Sequence, residues 1–144
     1  MSPELRAQTI AEWNDLGFWY DRTPEGGWVI RGSRTGLEQF AVLLDRYAAD
    51  PGNVDLSEHD HFGPYMYLKV VTWSSAEINR HGIYGTLSDI VRLAALVRER
   101  VASCAIGDSL ALAQSFSIAS SMELTLICEP ESFSAGAYDM LSNA

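Results

Sequence analysis

Two histidines and two carboxylates stand together in the run Glu58-His59-Asp60-His61. Imidazole nitrogens and carboxylate oxygens both ligate zinc and other first-row metals, so this run is the chain's candidate metal centre. A catalytic zinc takes three protein ligands and keeps one position open. The remaining histidine is His81. A turn near Ser75 would set His81 opposite Val70, and His61 would then lie roughly 30 Å along that strand at ~3.3 Å per residue. His81 completes the set only if the chain doubles back; otherwise Glu58 or Asp60 must do so. The competing reading is a solvated polar loop in which a histidine is satisfied by backbone hydrogen bonds. We take the second reading and expect no metal or other cofactor.

Other chemistries find less support. Gly26-Gly27 and Gly82-Ile-Tyr-Gly85 lack the strand–glycine–helix setting and the lysine of a phosphate-cradling loop. No G-x-S-x-G elbow is present. Cys128 closes the apolar run Leu124-Thr-Leu-Ile-Cys128 and reads as a buried thiol. Cys104 is expected at a helix C-terminus, where the dipole disfavours a thiolate. Two cysteines outside any C-x-x-C pair make no disulfide framework. Glu129 and Glu131 are paired acids with nothing to distinguish them from surface carboxylates. We expect no catalytic residues and a protein that is not an enzyme.

The elements that must position these residues follow from period and punctuation. Ser2, Pro3 and Gly17 bracket a first helix with a thin apolar edge of Ile10, Trp13 and Leu16, so residues 1–17 are expected to be peripheral. Phe18-Trp-Tyr20, a Pro- and Gly-bearing turn over 23–27 and Trp28-Val-Ile-Arg31 read as a hairpin or a loop entering a strand. Thr35 and Glu38 have capping-box spacing, and Leu37, Phe40, Ala41, Leu44 and Ala48 share one helical face. Asp50-Pro-Gly52 ends that helix, and residues 53–63 read as a polar loop. The run Tyr65 to Trp73, rich in β-branched and aromatic residues, is the strongest strand signal, with a second strand over 78–84. Thr86 caps another helix, with Leu87, Ile90, Val91, Ala94, Val97 and Val101 as its buried stripe. Strands over about 110–116 and 122–128 complete a core spanning residues 28–128. Residues 129–144 read as an irregular tail, and no internal repeat is apparent.

The whole chain, 1–144, is expected to be one domain. From Trp28 the order is β-α-β-β-α-β, that of the ferredoxin-like α+β fold, with an extra C-terminal strand and the N-terminal helix added. Both helices would cover one face of a single, mainly antiparallel sheet. On its central strand Met66, Leu68, Val70 and Thr72 would point to the helices, and Tyr65, Tyr67, Lys69, Val71 and Trp73 away from them. Tyrosine and tryptophan are enriched at binding hot spots, so the open face is the leading interaction surface.

Charge narrows the partner. Ten basic residues face nineteen acidic ones, a formal charge of −9. Nucleic acid and anionic membrane are disfavoured, and a basic protein would be steered in. No signal-peptide pattern opens the chain and no apolar run is long enough to span a bilayer, so a cytoplasmic location is expected.

The stretches Ser57-Glu-His-Asp-His-Phe-Gly-Pro-Tyr-Met-Tyr-Leu-Lys-Val-Val-Thr-Trp73 and His81-Gly-Ile-Tyr-Gly-Thr-Leu-Ser-Asp-Ile-Val-Arg-Leu-Ala resemble a family of small bacterial immunity proteins of polymorphic-toxin systems. The resemblance covers about residues 28–139. The ending, Glu131-Ser-Phe-Ser-Ala-Gly-Ala-Tyr-Asp139, departs from that family's Phe-Asp-Pro-Ala-like ending and lacks its proline. The resemblance implies inhibition of a cognate toxin domain by direct binding, without turnover. A nuclease toxin with a basic cleft would suit the charge. The partner-binding residues expected on this reading are Asp55, Glu58, His59, Asp60, His61, Tyr65, Tyr67 and Trp73. The alternatives are a ferredoxin-like ligand-binding or regulatory module that forms a homodimer through the open sheet, and, further off, a metal-dependent hydrolase using His59 and His61.

Overall fold

The computed structural model describes residues 1–143. It is an α+β protein of five helices and two four-stranded mixed sheets. The single ferredoxin-like sheet expected from the element order is not formed. In chain order the elements are α1 (Pro3–Leu16), β1 (Trp19–Arg22), β2 (Trp28–Gly32), α2 (Arg34–Ala49), β3 (His59–Phe62), β4 (Leu68–Thr72), β5 (Glu77–Asn79), β6 (Gly82–Gly85), α3 (Leu87–Ala102), β7 (Ser109–Ala111), α4 (Ala113–Phe116), β8 (Leu124–Cys128) and α5 (Ala135–Ser142).

The first sheet runs β1-β2-β8-β7 and the second β3-β4-β6-β5. Each pairs its two inner strands in parallel, β2 with β8 and β4 with β6, and each flanks them with antiparallel outer strands. The parallel pairing overturns the expected β-hairpin after Thr72. Val70 lies opposite Ile83, not His81. The segment expected as one strand over 78–84 is itself a hairpin, β5 and β6, turned at Arg80 and His81. The Asn79 carboxamide oxygen accepts the His81 N–H at 2.8 Å and holds that turn. Gly82 follows at φ +146°, and a Cβ there would stand 2.2 Å from the Lys69 carbonyl oxygen.

The two sheets are related by an internal repeat of form that the letters conceal. Read from β7, the strand and long-helix order β7-β8-β1-β2-α2 matches β3-β4-β5-β6-α3, with α4 inserted between β7 and β8 and with α5 and α1 at the one crossing of the chain ends. Gly32 and Gly85 end equivalent strands. Ser33 and Thr86 then cap helices of 16 residues each, their hydroxyls accepting the Gly36 and Asp89 N–H groups. After each cap the same positions are fully buried: Leu37 and Ile90, Phe40 and Leu93, Ala41 and Ala94, Leu44 and Val97. These two helices pack on each other, α2 against β2 and β8 and α3 against β6, and the buried residues of the sheets are Trp28, Ile30, Leu124 and Leu126 in the first and Leu68, Val70, Ile78 and Ile83 in the second.

Several local expectations are corrected by packing. The α2 cap is Ser33, not Thr35, because Gly32 brings the strand directly into the helix. Val91 is 49% exposed, off the α3 stripe that Leu93 occupies instead. Met66 has φ +62° and stands in the turn before β4, so the strand begins at Leu68, three residues later than expected. The stretch expected as a strand over 110–116 splits into β7 and the short α4. The tail folds into α5, whose buried residues are Ala135, Gly136 and Asp139 and so carry little apolar signal. A Cβ on Gly136 would lie 2.7 Å from the Ile10 carbonyl oxygen, which lets α5 close on α1. Most of α1 is exposed, but Trp13 is fully buried in the central core. Among the described residues no helix is long and apolar enough to cross a membrane.

Candidate functional site

The run Glu58-His59-Asp60-His61 is not a loop. It leads into and forms β3, the outer strand of the second sheet. Its side chains are exposed, so no apolar alternation marks it, and backbone pairing to β4 holds it in place. Thr72 donates its N–H to the Glu58 carbonyl at 2.8 Å. Asp60 and Phe62 therefore sit at the bonded positions of the ladder, opposite Val70 and Leu68. The peptide groups of His59 and His61, between them, face the free edge.

The lead-in to β3 is fixed from below. Tyr47, Asn53 and Thr72 are all buried. The Tyr47 hydroxyl lies 2.8 Å from the Glu58 carbonyl oxygen and 2.6 Å from Thr72 Oγ1. Thr72 Oγ1 lies 2.6 Å from the Asn53 carbonyl oxygen, and Asn53 donates to the Tyr47 carbonyl at 2.9 Å. This network ties residues 53–58 to the C-terminal end of α2. Burial pushes the Tyr47 phenol above its ordinary range, which keeps it a hydrogen-bond donor. Asp55 and Glu58 stand exposed on the segment so held.

His59 and His61 share the outer face of the sheet. Each Nδ1 lies 3.0 Å from a carbonyl oxygen, of Ser57 and Met66 respectively. A carbonyl only accepts, so each Nδ1 carries the hydrogen and each Nε2 is the free ring nitrogen. The rings stand edge to face with centroids 5.2 Å apart. Lys69 is the cross-strand neighbour of His61 and places a cation on the same face. Among the described residues no group of three or more His, Cys, Asp or Glu is disposed to hold a metal ion. Along the same face His59 neighbours Val71, Val71 neighbours Tyr84, and Tyr84 neighbours Glu77. Burial, with the Glu77 charge, pushes the Tyr84 phenol up. Tyr67 and Trp73 flank β4 and are 53% and 41% exposed.

Tyr65 does not belong to this face. It is half-buried, edge-on to Trp13 with centroids 5.8 Å apart, and donates to Asp139 Oδ2 at 2.7 Å. Trp19 and Asn143 donate to Asp139 Oδ1 at 3.1 and 3.0 Å. Tyr65 is thus part of the lock that fastens α5, and its ring stands beside that of the exposed Tyr67, with centroids 5.9 Å apart.

Asp60 points the other way, into a cleft of about 420 Å³ between β3 and the ends of α1 and α2. Asp15 and Asp50 line the cleft with Asp60, and Arg46 is its one basic side chain. Asp15 lies in the last turn of α1 and Asp50 is the C-cap of α2. Helix C-termini carry the negative end of the dipole, so Asp15 stands where a carboxylate is disfavoured, whereas the Asp50 carboxylate also accepts the Gly52 N–H at 2.9 Å and caps the 3-10 turn Pro51–Asn53. The acid in the last turn of α1 is the signal in the sequence that could have found Asp15. Two dipole ends and three carboxylates concentrate negative potential in one concavity.

The cysteines supply no nucleophile. Both are buried, and burial together with the hydrogen bond that its thiol donates to the Cys104 sulfur pushes Cys128 up to about 11. Arg34 donates to the Cys104 carbonyl beside them. Glu129 is paired with Arg31 at 2.9 Å, and Glu131 accepts from Thr35 at 3.2 Å.

Comparison of the chain with protein-family models, with curated proteins and with solved structures finds no match.

Proposed function

We propose that this protein acts by binding: it neutralises a basic protein partner through direct contact, as an immunity protein silences a toxin domain. One observation carries the reading. The free edge of the second sheet joins an acidic cleft on one side to an aromatic, histidine-bearing face on the other. Asp15, Asp50 and Asp60 line the first, and His59, His61, Tyr67 and Trp73 stand on or beside the second. Exposed aromatics supply contact area, and the carboxylates, within a net charge of −9, supply steering and selection for a cationic surface. The sequence resemblance to immunity proteins points the same way.

The test is co-expression with any toxin-like domain that a neighbouring gene encodes. Restored growth together with a 1:1 complex on gel filtration supports the reading. A domain that is toxic alone, remains toxic in the presence of this protein, and forms no complex with it overturns the reading.

A further inference from the structure

We propose that β3 takes up an extended, lysine- or arginine-bearing segment of the partner as a fifth strand of the second sheet. This rests on the binding role above and specifies its mode.

The free edge is the first ground. Ladder pairing uses the peptide groups of Asp60 and Phe62, and leaves those of His59 and His61 directed outward. An unpaired strand edge is a template for another strand. His59, Asp60 and His61 are all exposed, so no element among the described residues covers the edge. Both imidazoles are held by backbone carbonyls of this chain, His59 by Ser57 and His61 by Met66 in the turn before β4.

The second ground is the cleft. Neighbouring strands lie ~4.8 Å apart and their paired residues share a face. A residue of an added strand beside Asp60 therefore points into the 420 Å³ cleft. Asp15, Asp50 and Asp60, with the C-terminal ends of α1 and α2, fit a guanidinium or ammonium there. Alternate residues of the same strand fall beside His59 and His61 on the open face.

Charge also decides between occupants. A second copy pairing β3 with β3 would bring two Asp60 side chains and two acidic clefts together. Like charges across a strand pair are destabilising. Asp60 therefore guards the edge against self-association and selects a cationic guest.

The experiment is amide hydrogen exchange on the full chain, with and without an excess of the capped peptide Lys-Val-Lys-Val-Lys. The expected result is slowed exchange at His59 and His61. The slowing is lost with a glutamate-for-lysine peptide and with a peptide N-methylated at alternate residues, and Asp60→Lys weakens binding at least ~10-fold. Unchanged exchange at both histidines overturns the proposal, as does equal protection by the N-methylated peptide. Growth rescue reads the broader role separately. Rescue that survives Asp60→Lys, with His59 and His61 unprotected in the complex, sinks strand addition and leaves the binding role standing. Peptide protection at both histidines without rescue supports strand addition and removes the toxin as partner.

Discussion

Tyr65 donates its hydroxyl hydrogen to Asp139 across 2.7 Å and so ties the approach to the second sheet to the last helix. Trp19 reaches the same carboxylate from β1. Asp139 is buried, and it joins three parts of the chain that share no sequence neighbourhood. Asp139→Ala strands the Trp19 indole N–H and the Tyr65 hydroxyl without an acceptor. Each buried unmet donor costs roughly 1–3 kcal/mol, so a loss on the order of 2 kcal/mol or more is expected in urea unfolding. Asp139→Asn keeps an acceptor and should lose less.

The same contact gives the protein an alkaline limit. Burial, then the hydrogen bond and charge of Asp139, push the Tyr65 phenol up to about 12 from its ordinary 10.0. A group whose folded-state pKa is raised contributes fully below its unfolded value and loses that contribution as pH rises through the folded one. Stability should therefore fall between about pH 10 and pH 12. In Tyr65→Phe the fall over this window should be shallower. Urea midpoints measured at intervals across it decide the matter, and equal slopes would remove Tyr65 as the cause.

An acid limit is set at the α3 cap. Thr86 and Asp89 exchange backbone bonds, 3.1 Å to the Thr86 hydroxyl and 2.9 Å to the Asp89 carboxylate. Burial raises the Asp89 carboxyl's pKa, but the bonds with Thr86 and Arg92 outweigh it and hold the group below its ordinary 3.8. Its contribution is present above that value and is lost as pH falls through the lower, folded one. Asp89→Ala should cost about 1 kcal/mol near neutrality. The deficit should shrink as wild type is taken into acid, which thermal melts at stepped pH can follow.

Gly82 and Gly107 both have positive φ, at +146° and +91°, yet their surroundings differ. A Cβ on Gly82 would stand 2.2 Å from the Lys69 carbonyl oxygen, whereas one on Gly107 would meet nothing within 4 Å. Gly107→Ala should cost about 1 kcal/mol, the backbone strain alone. Gly82→Ala adds a clash with β4 and should cost roughly 3 kcal/mol or more. Equal losses in chemical denaturation would mean that β6 does not need its close approach to β4.

Local chemistry was legible in the sequence, and long-range pairing was not. The stripes Leu37-Phe40-Ala41-Leu44 and Ile90-Ala94-Val97 announced both central helices, because each buries one face continuously. Two sheets rather than one could not be seen. The order β-α-β-β-α-β does not say which strand lies on the far side of β2 from β1, and it is the distant β8. The repeat of form was hidden because its halves share only small markers, Gly32-Ser33 and Gly85-Thr86, while Phe40 and Leu93 fill equivalent places with different shapes. Of the residues expected to bind a partner, those of β3 with Tyr67 and Trp73 stand exposed, while Tyr65 is half-buried beside Tyr67, because the regular alternation breaks at Met66, where the backbone turns. Asp15 and Asp50 were missed because a cleft between helix ends has no period.

Tyr65 and Trp73 stand near opposite ends of the run that signalled a strand, and their assigned roles are opposite. Tyr65 is half-buried against Trp13 and Asp139. Trp73 leaves β4 with its N–H bonded to the Gly85 carbonyl at 2.8 Å and its side chain 41% exposed. The backbone bond survives truncation of the side chain. Trp73→Ala should therefore shift the unfolding midpoint little, within about 1 kcal/mol. It should weaken the partner at least ~10-fold if the aromatic anchors the interface. Tyr65→Ala should reverse the pattern, with lost stability and, at temperatures where it stays folded, near-normal affinity. Calorimetric titration of both variants with the partner captured by rescue, beside their urea curves, separates the two roles. Full affinity in Trp73→Ala would confine binding to the β3 edge and its acidic cleft.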